Sequence, residues 1–263
     1  DKMIVKMLLK TSIIDVVLKD KNLSALTESF GGKFYEIIIG GAALNKEVET
    51  FLKKIGFPYT VGYGMTECGP IIGYEDWSKH KLGSCGKAAP RMEVKIDSPD
   101  ETKIVGEILV RGANVMMGYY KNEEATNAVL KDGWLRTGDL GLKDKYGNIY
   151  IKGRSKNMIL GPSGQNIYPE EIEDILNSLE YVNESLVIED NGKLTALVYL
   201  DQDRLDSKQI NSKDYPNILE QMRQQANSQL ANYEQISAIY IHEEEFEKTP
   251  KRSIKRYLYT TKR

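Results

Sequence analysis

The stretch "YEIIIGGAALNKEVETFLKKIGFPYTVGYG", Tyr35 to Gly64, decides the fold of the first part of the chain. Tyr35 to Ile39 is a short apolar, β-branched run that ends in two glycines. In "NKEVETFLKKIG" the residues Val48, Phe51, Leu52 and Ile55 recur at i, i+3, i+4 and i+7, the period of an amphipathic helix, and Gly56 is its stop. "PYTVGYG" reads as a second short strand. Strand–helix–strand predicts two parallel strands joined by a right-handed crossover. Their C-terminal ends then share one edge of the sheet, the edge at which open α/β sheets bind ligands.

That edge carries Gly40-Gly41-Ala42 and Gly62-Tyr63-Gly64-Met65-Thr66-Glu67. Glycines let a flat ring approach the backbone, and Tyr63 offers a stacking face. The Thr66 hydroxyl and the Glu67 carboxylate suit phosphate oxygens and Mg²⁺. Gly40-Gly41-Ala42 taken alone reads equally well as a simple turn.

Upstream, residues 3–29 alternate apolar and polar positions at helical spacing, with a stop at Gly31-Gly32. Downstream the chain is β-rich. "GEILVRG", Gly106 to Gly112, is a strand between glycines, and "LKDKYGNIYIKG" is a hairpin turning near Tyr146-Gly147-Asn148. Between them "DGWLRTGDLG", residues 132–141, holds Asp139 among glycines, where it could accept two hydrogen bonds from a ribose diol. On its own Asp139 reads first as a turn residue, and Trp134 reads as core.

After Gly164 the texture changes. "YPEEIEDILNSLEYV" places Pro169 and several acids in the first turns of a helix, with Ile172, Ile175, Leu176 and Leu179 as its buried stripe. Two strands flank Asp190-Asn191-Gly192. A helix over "PNILEQMRQQANSQLANY" and a strand over "ISAIYIHE" complete an α+β unit of domain size. The fold class is therefore α/β followed by α+β, with a boundary near Arg154 to Lys156: domain one over 1–154, domain two over 155–263.

Composition narrows the function classes. The 263 residues carry 36 Lys and Arg against 38 Asp and Glu, a net charge of −2, which argues against nucleic acid as the main partner. No apolar run approaches a membrane span, and "DKMIVKMLLK" is interrupted by Lys, unlike a signal peptide. A cytoplasmic location follows. The basic tail "KRSIKRYLYTTKR" offers peripheral contact to anionic lipid, although such charge runs are more often simply solvated. Cys68 and Cys85 fit no metal spacing and read as reduced thiols. His80 and His242 stand alone in the sequence, which favours surface or hydrogen-bonding roles. Nothing calls for an obligate protein partner.

Three motifs, "GYGMTE", "GWLRTGDLG" and "KGRSKNMI…SGQNIYPEEIE", stand in an order and spacing that resemble the adenylate-forming enzymes. The block from Ile37 to Glu67 is most similar to long-chain fatty acyl-CoA synthetases. The resemblance implies the end of a large AMP-binding domain, with a parallel sheet edge and a small β-barrel, followed by a mobile C-terminal domain. It implies adenylation of a carboxylic acid by ATP with Mg²⁺, then transfer to coenzyme A, with a fatty acid as the acid. It implies that Gly41 and Ala42 border the adenine and that Tyr63, followed by Gly64, stacks on it. Thr66 contacts the α-phosphate region, Glu67 holds Mg²⁺, Asp139 binds the ribose hydroxyls, and Arg154 reaches ribose or phosphate. Lys156 falls on the hinge about which the C-terminal domain rotates, and the loop around Gly164 lines the pantetheine passage.

The chain departs from the family twice. The Ser/Thr/Gly-rich phosphate loop ending in Lys has no match in residues 1–60, and the sequence opens on Asp1 rather than Met, so the expectation is the C-terminal part of a longer enzyme. Near the end, aligning Ile254-Lys255-Arg256 with the family's Lys-Ile-x-Arg pattern puts Ser253 where its lysine belongs; substitution by Lys251 or Lys255 is the favoured expectation. Two alternatives stand beside coenzyme A ligation: an acyl-adenylate ligase that loads a carrier protein, and an inactive nucleotide-binding fragment.

Overall fold

The computed structural model describes residues 16–250 and 253–260. The decisive stretch folds as its pattern demands. Helix α1 (Val16–Ser29) precedes strand β1 (Ile37–Ile39), helix α2 (Lys46–Ile55) and strand β2 (Tyr59–Val61). Asn45 caps α2 by accepting hydrogen bonds from the Glu47 and Val48 amides, and Gly56 ends it in left-handed backbone. The helix buries Phe51, Leu52 and Ile55. Strands β1 and β2 are parallel, pairing Ile37 with Tyr59 and Ile39 with Val61. The helical pattern upstream is realised from Val16; residues 3–15 lie outside the described residues.

"PYTVGYG" is not one strand. It breaks at Gly62, and β3 (Tyr63–Gly64) joins a different sheet with β4 (Ile71–Tyr74) and β5 (Lys87–Ala88). A residue without a side chain lets the backbone leave one ladder and enter the next. The break sends Tyr63 away from β1 and toward the β-rich middle of the chain.

There, β6 (Met92–Asp97), β7 (Gly106–Gly112), helix α3 (Glu123–Val129), β8 (Leu130–Lys131), β9 (Trp134–Lys143) and β10 (Ile149–Arg154) follow. The sheet runs β10-β9-β7-β6, with β8 beside β9, and stays open as a half-barrel. Trp134 differs from the core expectation: it is half-buried on the surface, with Lys95 Nζ 4.3 Å and the Arg111 guanidinium 4.7 Å from its ring centre. A shared core of Ile55, Tyr59, Tyr63, Ile72, Ile108, Leu135 and Ile149 runs beneath these elements.

The chain divides into two compact units, the first ending at Ile151 and the second beginning at Lys152. The second holds the hairpin β11 (Ile159–Leu160) and β12 (Asn166–Ile167), helix α4 (Pro169–Ser178), strands β13 (Val182–Asp190) and β14 (Lys193–Leu200), helices α5 (Gln202–Ser207) and α6 (Tyr215–Asn227), and β15 (Ala238–Ile241). Its sheet is ordered β13-β14-β15, antiparallel then parallel. The expected stripe of α4 is buried at Ile172, Leu176 and Leu179. Helix α6 stops at Asn227, short of the Tyr233 its pattern reaches, because the Asn227 side chain turns to bond the Ile236 backbone.

Candidate active site

The most constructed feature of the first unit is a bulge in β9. Glu107 of β7 faces Leu140 and Leu109 faces Arg136, so Thr137, Gly138 and Asp139 all stand opposite Ile108 alone. The excess is held by its own bonds. Thr137 Oγ1 donates to the Ile108 carbonyl at 2.8 Å, and the Asp139 amide donates to Thr137 Oγ1 at 3.1 Å. Gly138, at φ +72°, donates its amide to Glu107 Oε1 at 3.0 Å, while the other Glu107 oxygen pairs with Arg136. Bulges redirect side chains, and this one turns Asp139 inward until it is 5% exposed.

Tyr63 meets it there. The Tyr63 hydroxyl donates to Asp139 Oδ2 at 2.6 Å, both groups being buried. Two residues 76 positions apart, assigned by resemblance to adenine and to ribose, are thus directly bonded. Gly64 follows in β3 with no room for a side chain, since a Cβ there would collide with the Pro70 carbonyl. The backbone then enters a short 3-10 turn, Thr66–Cys68, with Cys68 fully buried beneath it. Burial pushes the Cys68 thiol up to about 11, which makes it a packing group rather than a nucleophile.

Thr66 is exposed and Glu67 half-buried on this turn. Glu67 Oε1 accepts a hydrogen bond from the Tyr119 hydroxyl at 3.0 Å. Gly41 and Ala42, both exposed, follow β1 on the same sheet edge, and the Gly62 amide closes onto the Ile39 carbonyl at 2.8 Å. The structure therefore gathers Gly41, Ala42, Tyr63, Gly64, Thr66 and Glu67 at the ends of adjacent strands and joins Asp139 to them through Tyr63.

The remaining sites lie in the second unit and are built differently. Arg154 ends β10 at the surface, and Lys156 stands in the exposed turn Ser155–Asn157 with no side-chain partner among the described residues. Contacts on either side hold that turn: Lys152 Nζ reaches Glu171 Oε1 at 2.6 Å, and Asn157 Nδ2 reaches Glu170 Oε1 at 2.6 Å. Gly164 sits in the exposed turn of the β11–β12 hairpin.

Near the C-terminus, Lys248 pairs with Ile254 as a β-bridge, and Thr249 and Ser253 bond to each other. Ser253 is exposed, and the neighbouring Lys255 ammonium is held 3.1 Å from Glu247. Lys251 lies outside the described residues. Arg256 binds both oxygens of the buried Glu173, at 2.6 and 2.8 Å, and donates to the Val187 carbonyl at 2.7 Å. This contact anchors the Ile254-Lys255-Arg256 segment.

Sequence reasoning missed Thr137, Glu107, Asn114 and Tyr119. Thr137 and Tyr119 bond Asp139 and Glu67 directly, whereas Glu107 and Asn114 bond the backbone beside them; the stretch from Asn114 to Tyr120 has neither a strand nor a helix period, so it reads only as a loop. The two lone histidines are hydrogen-bonding or packing groups. His80, buried, lies 2.9 Å from Glu49, and His242 stacks on Phe246.

Residues 4–120 match the profile of the AMP-binding enzymes, and residues 156–262 that of the AMP-binding enzyme C-terminal domain. The chain belongs to the AMP-binding enzymes. Among its relatives, a long-chain-fatty-acid–CoA ligase of Mycobacterium bovis is 33% identical over 190 residues, 72% of this chain and 31% of that protein. The indoleacetate–CoA ligase of Aromatoleum aromaticum is 43% identical over 158 residues, 58% of this chain and 31% of that protein. The o-succinylbenzoate CoA synthetase of Bacillus subtilis, solved with its acyl-adenylate intermediate, superposes with a TM-score of 0.74 at 29% identity, covering 93% of this chain and 50% of that one. The same synthetase solved with ATP and magnesium gives a TM-score of 0.70 at 29% identity, covering 89% and 49%. This AMP-binding chain thus spans about a third of these curated relatives and about half of the synthetase. Among the described residues no helix is long and apolar enough to cross a membrane.

Proposed function

We propose that this chain is the adenylate-binding and C-terminal part of an acid–CoA ligase that activates a fatty acid with ATP and passes the acyl group to coenzyme A. The observation that carries the reading is the buried Tyr63–Asp139 bond at the end of the parallel strands, which joins two of the three motifs. We place the domain boundary after Arg154, with the second domain over residues 155–263.

The chemistry suits these residues. A carboxylate is a poor electrophile because oxide would have to leave. Attack of a carboxylate oxygen on the α-phosphorus of ATP expels pyrophosphate and leaves a mixed anhydride. The thiol of coenzyme A then attacks the acyl carbon, and AMP departs with the bonding pair. Gly41 and Ala42 would border the adenine, Tyr63 would stack on it, Asp139 would accept from the ribose hydroxyls, Thr66 would donate to the α-phosphate, and Arg154 would reach the ribose or phosphate. Holding the nucleotide on preformed partners is how such transfers gain rate. Lys156 would be the pivot between the two steps, because a few terminal residues suffice for a domain rotation. The turn at Gly164 would line the path of the thiol.

Mg²⁺ fits the donor set. It takes one or two carboxylates with water and substrate phosphates rather than a protein cage. No group of three His, Cys, Asp or Glu converges among the described residues. Glu67 supplies a lone carboxylate whose Oε2 has no partner among them. Bound there, the ion would offset charge on the nucleotide phosphates.

The test is acid-dependent ATP–pyrophosphate exchange by the natural polypeptide carrying this chain, with fatty acids of several lengths and indole-3-acetate. Exchange with fatty acids, lost in Asp139→Ala, supports the proposal. Exchange confined to indole-3-acetate would favour an arylacetic acid, the second reading, to which the 43% identity with the indoleacetate ligase points. Thioester formed with a carrier protein but not with free coenzyme A would replace the acceptor. Residues 1–60 hold no phosphate loop, so the 263-residue chain by itself is expected to give no exchange.

A further inference from the structure

One short segment holds Glu67 from two directions. The Met116 amide donates to the Glu67 carbonyl at 2.7 Å, and the Tyr119 hydroxyl donates to Glu67 Oε1 at 3.0 Å. The segment is itself fixed at both ends. On one side, Asn114 Nδ2 donates to the carbonyls of Cys68, at 2.5 Å, and Ile71, at 3.0 Å, which clasps the turn carrying Glu67. On the other side, the Tyr119 amide donates to Thr126 Oγ1 at 2.9 Å, and that hydroxyl donates on to the Asn122 carbonyl at 2.8 Å. Gly118 lies so close to Thr126 that a Cβ would stand 2.9 Å from its methyl. Tyr119 is therefore a phenol on a fixed mount.

We propose that Tyr119 is a positioning residue that fixes the direction of the Glu67 carboxylate and thereby sets the affinity of the site for Mg²⁺ with nucleotide phosphates. This rests on Glu67 as the metal ligand. A carboxylate on a flexible side chain must surrender rotamer freedom to bind an ion; one already held through Oε1 presents Oε2 at little further cost. Partners behind a metal ligand typically contribute 10- to 100-fold in metal affinity.

The test uses ¹⁹F probes at position 119 of the natural polypeptide. 3-Fluorotyrosine keeps the hydroxyl, whereas 4-fluorophenylalanine replaces it with fluorine and keeps the ring. Mn²⁺, added with ATP as a paramagnetic stand-in for Mg²⁺, broadens a fluorine signal close to it. The expected result is broadening in both proteins, abolished by Glu67→Gln, with half-broadening in the fluorophenylalanine protein at about tenfold higher Mn²⁺. Equal half-broadening concentrations, with both proteins folded, overturn Tyr119 as a positioning residue while leaving Glu67 as ligand. No broadening in either protein overturns the metal assignment, and the proposal with it.

Discussion

The two units hold their candidate residues in opposite ways. In the first unit the residues themselves are tied down: Asp139 is buried in a bulge and bonded to Tyr63, and Glu67 is gripped through both its side chain and its backbone. In the second unit Lys156, Gly164 and Ser253 stand on exposed turns, and what is fixed is their flanks. Lys152 and Asn157 fasten the Lys156 turn to the start of α4, and Arg256 fastens the segment after Ser253 to Glu173. One unit ties its candidate residues to one another; the other leaves them exposed and secures the ground they stand on.

The comparison breaks most severely if the flank anchors can be removed at little cost. Arg256→Met leaves the buried Glu173 carboxylate without its counterion, and breaking such pairs typically costs about 3–5 kcal/mol. Burial pushes the Glu173 carboxyl up to about 7, against the lowering pull of Arg256 and the Val187 amide. Without the guanidinium it rises further. A carboxyl whose folded value lies above its unfolded value binds protons more tightly when folded, so stability returns as pH falls. The deficit of the variant, read from denaturant midpoints, should be larger at pH 8 than at pH 5. An equal deficit at both would mean that packing, not charge, makes the anchor.

Tyr63→Phe probes the other side. It keeps the ring and removes one buried bond to a carboxylate, so a loss of about 1.5–3 kcal/mol is expected on denaturant unfolding. A loss below half a kilocalorie, with nucleotide affinity intact, would make the first unit no more tied than the second.

The smallest effect belongs to Lys156→Ala. An exposed side chain without a partner among the described residues should shift stability by no more than about 0.5 kcal/mol. The two half-reactions of the natural polypeptide, measured separately, should nevertheless change by different factors. A large stability loss would place Lys156 among the anchors.

Legibility in the sequence followed the same division. The strand–helix–strand unit could be read because its period and its caps, Asn45 and Gly56, are local. The hairpin around Asp190-Asn191-Gly192 could be read for the same reason. The break at Gly62 could not, because nothing local distinguishes a glycine that ends a strand from one that passes the chain to another sheet. Asp139 on its own read as a turn residue: its bulge exists only against Ile108, and its partner is 76 residues away. Tyr119 was invisible because its role is to touch a residue 52 positions earlier.

The bulge in β9 also separates what the sheet needs from what the site needs. Its excess over a plain antiparallel ladder is two residues, because the paired numbers sum to 247 on one side (107 and 140) and to 245 on the other (109 and 136). An even excess preserves the alternation of faces. Excising Gly138 with Asp139 would let β9 run straight against β7, with Leu135 and Leu140 still in register with their partners. Removing Gly138 alone would shift one flank by a single position and turn its core side chains outward. The carboxylate is thus an ornament the barrel wall could be built without, carried as a removable insert in an otherwise ordinary strand.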